Sequence, residues 1–285
     1  MRVIAGVDWS EESFAAVEQL GQLYRPEEVV IAHGVDLGMF QSPMVAEAVN
    51  LQGYDEFRQA MIDAGQRVVD RARTLLPADI PSVKTVCDIH HAASFITDQT
   101  QALKADLVVV GTHDRSRVTE LFVGSVSHDV LLHGGTTTLI VKRKAAPVSR
   151  VLIAVEGRAD ATRVQTWLTT HPFRTPVAAA VLCVVPTFQM LDPHPVIGLQ
   201  KLVEENIRQA EQLVRGTAQA LASPHYSTSS EVRTGDPVTA VCDAARSYDL
   251  LVVGSHGRTG LDRFLLGSIS HGIVHRAGLS VLVVR

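Results

Sequence analysis

One segment occurs twice in this chain, and that repeat limits the fold more than any other feature. Asp106 to Lys142 reads DLVVVGTHDRSRVTELFVGSVSHDVLLHGGTTTLIVK, and Asp249 to Arg285 reads DLLVVGSHGRTGLDRFLLGSISHGIVHRAGLSVLVVR. Gly111 aligns with Gly254, and Gly124-Ser125 with Gly267-Ser268, at one spacing (254 − 111 = 143, 267 − 124 = 143) and without a gap. His113 and His256, Arg115 and Arg258, Ser127 and Ser270, and His128 and His271 fall in the same register. The starts of the halves match as well: Arg2 to Asp8 reads RVIAGVD, and Arg150 to Glu156 reads RVLIAVE. A repeat of this length copies a whole domain rather than a solenoid unit. The 285 residues therefore hold two domains, expected at 1–143 and 150–285, with the polar, proline-containing stretch Lys144 to Ser149 as linker.

Each copy encodes strand, glycine loop, helix, strand. Asp249 to Val253 is a short Val/Leu run that stops at Gly254, the pattern of a strand buried on both faces of a parallel sheet. After Gly267-Ser268, Ile269, Ile273, Val274 and Ala277 keep helical spacing, and Gly278 suits a helix C-terminus. Val281 to Val284 is a last buried strand, matched by Thr138 to Val141. In the first half, Val3 to Val7 and Val29 to Val35 are predicted strands. Ser10 is a predicted N-cap for a helix reaching about Tyr24. A second helix presents Phe57, Met61, Ala64, Val68, Ala72 and Leu75 on one face. Ser82 to Cys87 is a third strand, and about Ala93 to Leu103 a third helix. The second half runs the same way, with strands at Val151 to Val155 and Val177 to Val185 and a helix faced by Val203, Ile207, Ala210, Val214 and Leu221. Asp160 or Thr162 is the expected cap of its first helix. Asp236 and Pro237 supply an N-cap and a proline at the first helical position of its third. Alternating strands and helices with short connections make an α/β fold of two doubly wound parallel sheets.

The formal net charge of −4 and pI near 6.3 leave no electrostatic footprint for general nucleic-acid binding. Three scattered cysteines, Cys87, Cys183 and Cys242, imply no disulfide framework. The start, MRVIAGVDWSEES, runs into a strand without the form of a signal peptide. The longest apolar run, around Val177 to Val185, is too short to span a membrane. No membrane role and a cytoplasmic location are the expectations.

The chemistry sits in the glycine segment. A helix starting at Gly267-Ser268 has unpaired N–H groups and a positive dipole end. Glycines at 254, 257 and 260 let the chain approach a phosphate without a Cβ in the way. Ser268 and Ser270 add hydroxyls, and Arg258 adds charge. The carboxyl ends of parallel strands are also where open α/β sheets bind ligands. Phosphate binding is the leading reading; the alternative is that these glycines only make turns.

The spacing of Gly254, Gly257 and Gly267-Ser268 resembles the ATP-binding signature of the universal stress protein family. It is neither a Walker A loop nor GxGxxG. Gly235-Asp236-Pro237 is also similar to that family, whereas the first half has His91-Ala92-Ala93-Ser94 in that region. The resemblance covers nearly the whole chain as a tandem pair. It implies five parallel strands and four helices per domain, a Rossmann-like fold of the adenine nucleotide alpha hydrolase type. It further implies ATP as ligand, and a cation such as Mg²⁺ could bridge Asp114 and the phosphates. The implied contacts in the second domain are Glu156, where the family usually has Asp, together with Val185, Gly254, Gly257, Gly267 and Ser268. Around them stand His256, Arg258 and Ser270. In the first domain they are Asp8, Val35, Gly111, Gly124 and Ser125. Asp114 stands where that domain's second loop glycine belongs, and its charge near a phosphate opposes binding, so the second domain is the better expected site.

Other candidates follow the bare residues. Cys87, His90 and His91 have a spacing seen in metal sites but lack a fourth ligand. His128 and His271 read as partly buried packing residues. No catalytic constellation assembles from the linear sequence. A sensor or regulatory module that binds an adenine nucleotide is the leading expectation. A slow ATPase or nucleotidyl-transfer enzyme, and an interaction protein without nucleotide, are the alternatives. The family's dimers suggest that the two fifth strands pair within one chain as a pseudo-dimer. The apolar stretches Leu37 to Val49 and Phe188 to Leu199 suggest site covers or a further homodimer contact.

Overall fold

The structure, a computed structural model, describes residues 1–38, 54–112, 124–187, 199–255 and 266–285. The chain divides into two compact units, Met1–Ala146 and Pro147–Arg285. Unit 1 contains β1 (Arg2–Gly6), α1 (Glu11–Leu23), β2 (Glu28–Gly34), α2 (Tyr54–Arg73) and β3 (Ser82–Asp88), followed by α3 (Ala92–Leu103), β4 (Leu107–Gly111), α4 (Ser125–His133) and β5 (Thr137–Val141). Unit 2 contains β6 (Arg150–Ala154), α5 (Arg158–Thr170), β7 (Val177–Val185), α6 (Leu199–Leu221) and β8 (Tyr226–Thr234), followed by α7 (Pro237–Ala245), β9 (Leu250–Gly254), α8 (Ser268–Arg276) and β10 (Ser280–Val284).

Within unit 1 the strands run β3-β2-β1-β4-β5, all parallel. Within unit 2 they run β8-β7-β6-β9-β10, again all parallel. The order reverses between β1 and β4 and between β6 and β9, which opens a crevice at the carboxyl ends of those pairs.

Burial explains why the middle strands read as unbroken apolar runs. Val3, Ile4, Leu107, Val108, Val109, Val151, Leu152, Ile153, Leu251 and Val252 have no exposed surface, because helices cover both faces of each sheet. Each such side chain contributes roughly 1.5–3 kcal/mol. The outer strands β3 and β8 are polar by contrast, with exposed positions along SVKTVCD and YSTSSEVRT. Polar outer strands discourage pairing with another chain.

The helix starts follow local chemistry. Ser10 caps α1 and accepts from Ser13 N at 3.2 Å. Asp236 caps α7, accepting from Thr239 N at 2.9 Å and Thr239 Oγ1 at 2.6 Å, and Pro237 opens the helix. Thr239's hydroxyl and N–H hold the Asp236 carboxyl below its ordinary range. At α5 the expectation is corrected: Gly157 is the N-cap, and Asp160 sits two residues inside the helix. Gly278 is also corrected, since α8 ends on an extended Ala277, and the left-handed φ (63°) belongs to the counterpart Gly135 in unit 1.

One carboxylate clips the amino ends of the central strands in each unit. Asp106 Oδ2 accepts from Arg2 N at 2.7 Å. Its repeat partner Asp249 accepts through Oδ2 from Arg150 N at 2.8 Å, Ser149 N at 3.0 Å and Ser149 Oγ at 2.9 Å. Partial burial pushes the Asp249 carboxyl up, but these bonds outweigh it and leave the group below its ordinary range.

Candidate functional site

In unit 2 the crevice between β6 and β9 is a formed cavity. The carboxyl ends of the strands supply Ala154, Val155, Glu156, Leu182, Val184, Val253 and Gly254, while Pro186, Pro237, Val241, Ile269 and Ile273 close the walls. Its polar groups are few: Glu156, Asp160 and Ser270. An apolar slot with a handful of polar groups at one end is the usual build of a small-molecule site.

The helix start beside it is shaped for an anion. Gly267 caps α8 with an extended backbone, and its N–H donates to Ser255 O at 2.7 Å. The first intrahelical bond runs from His271 N to Gly267 O at 2.8 Å. The N–H groups of Ser268, Ile269 and Ser270 therefore have no acceptor inside the helix and carry its positive dipole end. Ser268 is exposed. Ser270 is buried, and its Oγ donates to Gly254 O at 2.7 Å, tying the first turn of α8 to the end of β9.

Glu156 is half-buried at the end of β6, and its N–H donates to Asp160 Oδ2 at 3.1 Å. Asp160 is 5% exposed and presses against Gly254 so closely that a Cβ there would overlap its Oδ1. That Oδ1 has no hydrogen-bond donor, and Arg163 Nη2 stands off at 3.8 Å. Burial lifts the Asp160 carboxyl from 3.8 to about 6, against the lowering effect of the Glu156 N–H and of Arg163.

Val185, expected as a contact, is not among the residues that line the cavity. Its neighbours Val184 and Pro186 line the cavity, and alternation along a strand turns Val185 to the other side. Its carbonyl accepts from Gly235 N at 3.1 Å, where Gly235 adopts φ 135°. His256, Gly257 and Arg258 lie outside the described residues.

Unit 1 builds the same crevice differently. Asp8 is exposed after β1, its N–H bonds Ser13 Oγ at 3.1 Å, and its Oδ1 accepts from Ser10 N at 2.8 Å and from Ser10 Oγ. Ser13 thus stands where Asp160 stands in unit 2. A Cβ at Gly111 would run into the backbone of Glu12 and Ser13. Gly124 caps α4, Ser125 is exposed, and Ser127 Oγ bonds back to Gly124 O at 3.0 Å. Val35 is buried and bonded through both backbone groups, to Asp88 O at 2.8 Å and from His90 N at 3.1 Å. Trp9 beside Asp8 is 56% exposed and meets His33 edge-on at 6.1 Å. His113 and Asp114 lie outside the described residues. Cys87, His90 and His91 do not converge: Cys87 packs at Gly65, while His90 faces Phe95 at 5.7 Å and Asp98 at 3.7 Å.

The family model of the universal stress protein family matches residues 1–142 and again 147–285. The chain belongs to the universal stress protein family. Among relatives, it is 27% identical to the universal stress protein Rv2005c of Mycobacterium tuberculosis, covering 99% of this chain and 96% of that one. A universal stress protein of Mycolicibacterium smegmatis is 27% identical with the same coverage. The crystal structure of a universal stress protein from Archaeoglobus fulgidus superposes with a TM-score of 0.68, 16% identity and coverage of 100% and 98%, a likeness of fold.

Sequence reasoning about this universal stress protein missed Asp160 as a site residue and the walls Val184, Pro237, Val241 and Ile273. Val184, Val241 and Ile273 carried no signal beyond apolarity, and Pro237 read as a helix start. Asp160 carried one. Aligning the two helices on their caps, Ser10 and Gly157, pairs Asp160 with Ser13, although the strand ends align one residue differently.

Proposed function

We propose that this protein binds an adenine nucleotide in unit 2, with ATP and Mg²⁺ as the leading ligands, and acts as a cytoplasmic sensor or regulatory module. The observation that carries this reading is the cavity at the β6–β9 crevice, which joins an apolar slot to the α8 start. The slot suits a flat base, Glu156 offers acceptors for ribose hydroxyls, and the N–H groups of Ser268 to Ser270 suit phosphate oxygens. The proposed activity is binding rather than turnover. Unit 1 has the helix start but, in Ser10 and Asp8, a carboxylate already engaged by its own chain.

The reading is tested by titration calorimetry with ATP and Mg²⁺. Val241→Phe, which fills the slot, is expected to weaken binding at least tenfold, and Glu156→Gln to weaken it less, by the loss of a charge-assisted bond. Mass spectrometry of the freshly purified protein is expected to find a retained adenine nucleotide. Binding unaffected by Val241→Phe would place the ligand elsewhere.

A further inference from the structure

The two units differ at one position that the nucleotide reading alone does not use. Where unit 1 has the hydroxyl of Ser13 bonding Asp8 N, unit 2 has the carboxylate of Asp160 bonding Glu156 N. A hydroxyl is neutral and both gives and takes hydrogen bonds. A carboxylate in the same place is charged, and only one of its oxygens has a donor. It lines the cavity, is nearly shut off from water, and lies against Gly254, whose carbonyl is tied to the α8 start through Ser270.

Among the described residues, Arg163 on the same helix faces Asp160 as an ion pair, with Nη2 3.8 Å from Oδ1, and offsets only part of the effect of burial. From the end of β6, Glu156 adds a second negative charge. The strands packed against α5 bring no ionisable side chain, being LLVVG in β9 and SVLVV in β10. From α6, Glu205, Gln209 and Thr217 face a separate polar groove that Glu156 also lines. An anion arriving at the α8 start therefore meets two carboxylates across a low-dielectric cavity, where repulsion is poorly screened. Removing the charge from the buried one is the least costly relief, because its proton is already held more firmly than a free aspartate's.

We propose that Asp160 couples ligand binding in unit 2 to uptake of a proton: the pocket takes an anionic nucleotide with Asp160 protonated and holds it less tightly once Asp160 ionises. The proposal rests on the nucleotide reading above. It makes unit 2 a site that responds to acidification, and it predicts that unit 1, with Ser13, lacks that response.

The experiment is calorimetry of the full chain with ATP and with cyclic AMP, between about pH 5.5 and pH 7.5, in two buffers of different ionisation enthalpy. Cyclic AMP serves because its phosphodiester keeps one charge over this range, so any proton taken up belongs to the protein. Asp160→Ser copies unit 1, and Asp160→Asn keeps the shape and an acceptor for Glu156 N. The wild type is expected to bind about tenfold more tightly at the acid end, with uptake approaching one proton per site at the alkaline end. Both variants are expected to bind cyclic AMP with a flat pH profile, near the wild type's acid affinity throughout. Wild type and variants running parallel with pH would overturn the coupling and leave the nucleotide reading intact. Absence of binding by either nucleotide at every pH would overturn both.

Discussion

The crevice of unit 1 and that of unit 2 share a plan and differ in what fills the space behind the last residue of the fourth strand. In unit 1 that space holds main chain: Gly111 lies against the backbone of Glu12 and Ser13. In unit 2 it holds a side chain, the carboxylate of Asp160 against Gly254. Backbone at a helix start cannot retreat without moving the helix, whereas a carboxylate can change its torsion or its charge. The same glycine is thus a fixed packing requirement in one copy and an adjustable contact in the other. The serines one turn further on repeat the contrast. Ser127 bonds within its own helix turn, and Ser270 reaches across to Gly254.

The largest effect that sharpens this contrast is at the glycines. Gly111→Ala is expected to destabilise unit 1 by roughly 3 kcal/mol, at the upper end of the overpacking range. Gly254→Ala is expected to cost unit 2 less, and less again when Asp160 is also changed to Ser. The two tryptophans, Trp9 in unit 1 and Trp167 in unit 2, report the units separately in urea unfolding if the other is replaced by Phe. Equal losses at the two glycines, or a Gly254→Ala loss unmoved by Asp160→Ser, would break the comparison.

The next effect is pH-dependent. The folded unit holds the Asp160 proton to about 6 where an ordinary aspartate releases it near 3.8. Stability therefore falls as pH rises between those values, and the burial penalty is complete above the higher one. Asp160→Asn removes the penalty. It is expected to raise the stability of unit 2 by roughly 2 kcal/mol at pH 7.5, with the gain vanishing below about pH 4. Unit 1, followed through Trp9, should show no such gain. A benefit of equal size at both ends of the pH range would point to packing rather than charge.

A smaller effect separates the serines. Ser270→Ala strips a buried carbonyl of its donor and is expected to cost about 1–1.5 kcal/mol in the same unfolding measurement. Ser127→Ala gives up only a local helix-turn bond and is expected to cost a few tenths of a kcal/mol. A comparable effect is expected at the strand clips. Asp249→Ala loses three acceptor contacts at a partly buried site, for about 1 kcal/mol. Its carboxyl is held low, so that contribution is present at neutral pH and fades as acid protonates the folded form.

The fold was legible because its signals are local or periodic. Val/Leu runs ending in glycine marked β4 and β9, Ser10 and Asp236 marked helix starts, and the constant 143-residue spacing marked the second copy. The site was legible only along the chain. Glu156, Gly254 and Ser270 announce themselves by position in the repeat, and all three line the cavity. What the sequence hid is set by contacts across elements. Asp160 reads as a helix cap until β9 is folded against α5. Val184 and Pro186, on either side of Val185, line the cavity, a placement that follows only once the strand is folded.

The bond from Gly267 N to Ser255 O has a further consequence for how this protein tolerates change. The chain leaves the sheet at Ser255 and returns at Gly267 with those two residues already joined at 2.7 Å. The bond is made by main chain alone, so Ser255→Ala is expected to leave it intact, whereas Gly267→Pro, which has no N–H, removes it and loosens the tie between the α8 start and the end of β9.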